Sequence, residues 1–155
     1  MLVLTLMLPL LFFYPLPFIV VSWQGQTHYL KEDWFSIQWI HSVEKEEWIE
    51  VYTMNGTGLI LEKTRFKAYG AGVPSTGPTT FTEDGFVEMD IQREMERISL
   101  VVSPLVQSSL TTKSGRTYLL YKLVDPYEEV HIQPVHLSVY SYVVYLIEKG
   151  GISRE

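Results

Sequence analysis

Histidine beside carboxylate is the first chemistry the sequence offers. His41-Ser42-Val43-Glu44 stands just before Glu46, Glu47 and Glu50. Such a set can bind a metal ion or pass a proton, and His41, Glu44 and Glu50 are the candidate ligands of a metal. A spacing of three aligns side chains on a helix but not along a strand. The favoured reading is therefore a turn, in which Ser42 or Glu44 accepts backbone N–H groups and a carboxylate holds His41. A hydrolase would need Ser42 activated by a second histidine. Adjacent residues such as His41 and Ser42 face opposite sides of a strand, so no catalytic residue is assigned. The glutamates can equally be solvated charge that protects a hairpin edge from pairing with another chain.

The second constellation is Arg65-Phe66-Lys67-Ala68-Tyr69-Gly70-Ala71-Gly72-Val73-Pro74. Glycines allow backbone geometry that other residues avoid, and Pro74 stiffens the exit. Successive N–H groups at such a turn can cradle an anion. With Arg65 close by, a carboxylate is the ligand this would suit. The Gly70-x-Gly72 pair lacks the spacing of a dinucleotide or phosphate loop, and plain turn chemistry is the simpler reading. His131 and His136, five apart with Pro134 between them, read as a solvent-facing strand end.

Composition narrows the classes further. The 155 residues contain no cysteine, which excludes disulfides, a thiolate zinc site and a cysteine nucleophile. The net charge of -6, with no basic block, makes nucleic acid an unsuitable partner. No motif calls for a cofactor.

The elements that must position these residues read as strands. Phe35, Ile37 and Trp39 alternate with Ser36 and Gln38. Residues 46–63 read as a β-hairpin, with alternation on both sides of Asn55-Gly56, a pair suited to the positive φ of a tight turn. Residues 70–80 are rich in Gly, Pro, Ser and Thr and form a loop. The charged stretch Glu83–Glu96 suggests one short amphipathic helix. Arg97–Ser103 and Thr117–Val124 read as strands with Gly115 at a turn between them, and Glu129–Pro134 is extended after Asp125-Pro126. The tail allows two patterns, and strand to about residue 143 is favoured over a helical face of Val139, Tyr142, Val143 and Leu146. The expected fold is all-β, a small antiparallel sandwich or open barrel.

The first thirty residues are set apart by charge: none is Asp, Glu, Lys or Arg. About 20 apolar residues span a bilayer core as a helix, and Leu2–Trp23 is that long, though broken by Pro9, Pro15 and Pro17. The expected division is a hydrophobic segment over 1–26 and an extracytoplasmic β-domain over 27–155. A retained membrane anchor is favoured over a cleaved, secreted form, and both over a buried strand or helix of a soluble domain. The first charges, Lys31, Glu32 and Asp33, net to negative, which favours placing the domain outside the cytoplasm.

The order Trp39-Ile40-His41-Ser42-Val43-Glu44, then Trp48-x-Glu50, then Thr64-Arg65-Phe66-x-x-Tyr69-Gly70-Ala71-Gly72-Val73-Pro74 resembles a small bacterial family, domain of unknown function 1850. The resemblance covers about residues 34–74. It implies a short envelope protein with one N-terminal hydrophobic segment, accompanying TAXI-type tripartite ATP-independent periplasmic (TRAP) transporters that take up organic acids or amino acids with an extracytoplasmic receptor. It implies no catalytic residue. What carries over is a shared surface of His41, Ser42, Glu44, Glu50, Arg65, Tyr69, Gly70, Gly72 and Pro74. The expected function is non-enzymatic: a membrane-tethered accessory docking to a TRAP permease or its solute receptor. A small-ligand (organic acid) or metal-binding envelope module is the alternative.

Overall fold

The computed structural model describes residues 12–149 apart from 71 and 74–76. Two antiparallel sheets carry the chain, and they bear out the expectation of an all-β sandwich. One has four strands in the order β2-β1-β11-β8, the other seven in the order β10-β9-β3-β4-β5-β7-β6. The strands of the first are β1 (Pro15–Trp23), β2 (Gln26–Leu30), β8 (Ile98–Val101) and β11 (Glu129–Ser138). Those of the second are β3 (Trp34–Ile40), β4 (Glu47–Asn55), β5 (Gly58–Phe66), β6 (Thr79–Phe81), β7 (Val87–Met95), β9 (Ser109–Thr112) and β10 (Thr117–Tyr118). A single turn of helix, α1 (Leu120–Leu123), and a C-terminal helix, α2 (Val139–Lys149), complete the described fold.

Side chains from the two sheets meet in one main core. Phe35, Ile37, Tyr52, Leu61 and Leu110 pack against Ile19, Val21, Val130 and Ile132. The period-two alternation of β3 and β4 makes this core, because every second residue points inward. The β4–β5 hairpin forms where Asn55-Gly56 predicts it, with Gly56 at φ 59 taking the left-handed conformation. A second cluster lies toward the other end of β4 and β5: Trp48, Phe66, Val87 and Met89, with Trp39, Val73 and Ile91 packed against it.

Four expectations meet a different outcome. Residues 15–26, expected within a membrane segment, form β1 and its turn into β2, so the described domain begins well before residue 27. Phe18, Ile19, Val20 and Val21 are all buried. One side faces the core, and on the other Phe18 meets Tyr142 of α2. A strand covered on both faces shows a continuous apolar run instead of alternation. Within Glu83–Glu96 the chain forms β7, not a helix: Val87 and Met89 enter the core while Glu88 pairs with Lys63 on the outer face. Thr117–Val124 splits into β10 and α1. The tail leaves the strand at Ser138, and the helical pattern prevails from Val139. No helix among the described residues is long and apolar enough to cross a membrane.

Candidate functional site

The β3–β4 connection is a tight loop over residues 41–46. Its closure rests on two backbone bonds: His41 N–H donates to Glu46 O at 2.8 Å and Lys45 N–H to His41 O at 3.0 Å. Lys45 takes a left-handed conformation, φ 58, to complete the turn. The turn brings His41 and Glu44 together, and Nδ1 of His41 pairs with the Glu44 carboxylate while both side chains stay half-buried. This agrees with the reading of a turn in which a carboxylate holds His41.

An aromatic floor supports that pair. Trp39 and Trp48, opposite each other across β3 and β4, stack at 5.9 Å. Trp48 also stacks on Phe66 of β5 at 5.2 Å, and the His41 ring lies over Trp48 at 5.4 Å. Tyr69 meets the edge of Phe66 at 5.3 Å. The chain after Tyr69 then turns back, with Val73 N–H donating to Gly70 O at 3.3 Å and Val73 packed on the Trp48 cluster.

The two sequence motifs therefore converge. A Cβ placed on Gly70 would overlap the carboxylate of Glu44, so this glycine is required by a close approach between the loop and the hairpin tip. Ser42 and Val43 project from the tip, and Val43 (68%) and Tyr69 (61%) are strongly exposed beside the His41–Glu44 pair. Gly72 is exposed at φ 86 in the same loop. Pro74 lies outside the described residues.

Arg65 and Glu50 stand apart from this surface. Arg65 points to the outer face of the seven-stranded sheet, where it bonds Asp84 at 2.8 Å, pairs with Glu88 at 3.4 Å and lies over the Phe86 ring at 4.7 Å. Its charge is committed to these carboxylates, and the Thr82 hydroxyl, together with the Arg65 guanidinium, holds the Asp84 carboxyl below the usual carboxylate range. The anion cradle of Arg65 with Gly70 and Gly72, the less favoured reading beside plain turn chemistry, would need Arg65 released from these partners. Glu50 faces the core side, opposite Ile37, where the Tyr52 hydroxyl donates to its carboxylate. Burial pushes the Glu50 carboxyl up, against the opposing influence of that hydrogen bond and of Arg93. Burial and the neighbouring Glu50 charge also raise the Tyr52 hydroxyl. The metal set of His41, Glu44 and Glu50 is divided between these two places, and among the described residues no three His, Asp or Glu side chains are grouped to hold a metal ion.

Sequence reasoning passed over Trp48, Phe66 and Tyr52 as parts of the site. The available signal was strand alternation: Trp48 and Tyr52 lie two residues either side of Glu50 on one face. Recognition is chemistry that such an arrangement can perform. A rigid aromatic base fixes a charged pair and two exposed apolar side chains, and the ordering cost of binding is reduced when such groups are already in place.

A family described as a domain of unknown function (DUF1850) matches residues 35–120, over half of the chain and the whole of this surface. No curated protein and no solved structure matches the chain.

Proposed function

The chain belongs to the family described as a domain of unknown function (DUF1850), and from that premise we propose that it is a non-enzymatic, membrane-associated accessory of a TAXI-type TRAP solute uptake system. It docks on the permease or the solute receptor, outside the cytoplasm. The observation that carries this reading is the convergence of the His41–Glu44 hairpin tip with the Tyr69–Gly72 loop into one surface. Exposed Tyr69 and Val43 supply the apolar contacts, and tyrosine is among the residues enriched at binding hot spots. The His41–Glu44 pair supplies polar specificity at its side.

Support for the membrane comes from the other end of the molecule. Residues 1–14 carry no charged side chain. Phe12 and Phe13 approach Tyr140 of α2 at 6.3 and 6.2 Å, and α2 has no charge before Glu148. A helix with apolar residues on nearly all sides is ordinarily covered by protein or lipid. Aromatic side chains here suit the bilayer interface.

Co-purification of the tagged full-length protein with the permease or receptor tests the proposal. Retention of either through washing is the expected result. Normal transport in a deletion strain, with no physical association, would contradict it.

A further inference from the structure

Between α2, β2 and the β9–β10 hairpin lies an open cleft of about 360 Å³. Tyr29, Tyr118, Tyr142 and Tyr145 wall it, and Lys31 and Arg116 bring positive charge to it. The tyrosines are fixed in place: Tyr29 meets Tyr145 edge-on at 4.6 Å, and the Tyr145 hydroxyl donates to Thr27 O at 3.2 Å. Among the described residues neither Lys31 nor Arg116 forms a close ion pair; Arg116 donates to the Tyr118 hydroxyl at 3.3 Å and feels the Glu32 charge at longer range. The acid in the lining, Glu32, accepts from the Ser114 hydroxyl at 2.7 Å and offsets part of the Arg116 charge. In a chain of net charge -6, this cleft carries two cations against one acid.

One further wall residue, Leu146, connects the cleft to the exposed side of α2. Leu146 is 37% exposed, Val143 37% and Ile147 76%. An anion dissolved in water would fill the cleft and leave that apolar strip wet. A phospholipid covers both. We propose that the cleft holds the phosphate diester of an anionic phospholipid between Lys31 and Arg116, with its acyl chains along Leu146, Val143 and Ile147. Basic pockets beside membrane-facing helices suit lipid headgroups. The inference rests on the reading that the α2 end faces the bilayer, and it is independent of any docking at the His41–Glu44 surface.

The test is native mass spectrometry of the full-length protein in detergent, titrated with phosphatidylglycerol, phosphatidylcholine or soluble glycerol 3-phosphate. Phosphatidylglycerol should be retained in preference to the other two. The double variant Lys31→Ala with Arg116→Ala should weaken its retention roughly tenfold or more, while Lys122→Ala, which removes a cation outside the cleft, should leave it unchanged. Equal retention of the two lipids, an equal loss in Lys122→Ala, or tighter binding of glycerol 3-phosphate would each overturn the proposal. Fractionation of the same full-length protein from cells reads the membrane association separately: a membrane-bound protein without headgroup preference would sink this inference alone.

Discussion

The carboxylate of Glu44 occupies the space where a side chain on Gly70 would begin. This relationship joins the tip of the β3–β4 loop to the segment after β5, and it gives Gly70→Ala a specific consequence. The obstructing group is the flexible end of a glutamate, so the fold yields locally: a loss of about 1 kcal/mol is expected. In a Glu44→Ala background the same change should cost less, because the overlap is gone. Thermal unfolding of the four proteins in a double-mutant cycle measures that coupling.

Stability and recognition should separate along the aromatic floor. Trp48 is buried and stacked on three rings, so Trp48→Ala should cost about 3–5 kcal/mol in chemical denaturation. Tyr69 and Val43 are mostly exposed. Tyr69→Ala and Val43→Ser should stay within about 0.5 kcal/mol of the parent while weakening association with the transporter.

Much of this surface was legible in the sequence. Period-two alternation located β3, β4 and β5, Asn55-Gly56 located the turn between them, and the order of two motifs marked the residues that meet. Their meeting depends on register, with Trp48 opposite both Trp39 and Phe66, which no local pattern specifies. β1 was misread because its two-sided burial imitates a membrane segment. β7 was misread because Glu88 and its charged neighbours hide the inward Val87 and Met89 behind outer-face ion pairs. The tyrosine cleft had no signal, being assembled from three stretches far apart in the chain.

Arg65 should behave as a structural cation. Arg65→Ala removes its contacts to Asp84, Glu88 and the Phe86 ring, and a loss of about 1–2 kcal/mol is expected in denaturant titration. Organic acids should shift the melting temperature of parent and variant equally. A saturable shift present only with Arg65 would restore the anion-cradle reading.

Glu50 should make the fold sensitive to pH. Its carboxyl is raised by burial, so the folded state holds the proton more tightly than the unfolded chain does. That contribution is fully present below the unfolded pKa and is lost as pH rises through the higher folded value. Glu50→Gln should therefore raise stability at pH 7 by about 1 kcal/mol, keep an acceptor for Tyr52, and show no gain in acid below the ordinary glutamate range. Denaturation midpoints of both proteins across that range check the sign; a variant less stable at neutral pH would contradict it.

Site-specific photocrosslinking in cells tests the docking claim most directly. A crosslinking residue is placed at Val43, at Tyr69, or at Leu105, which is 79% exposed and lies outside both motifs. The expected result is capture of the TRAP permease or its solute receptor from positions 43 and 69 and none from 105. Capture of neither protein from positions 43 and 69, or equal capture from position 105, would contradict the account.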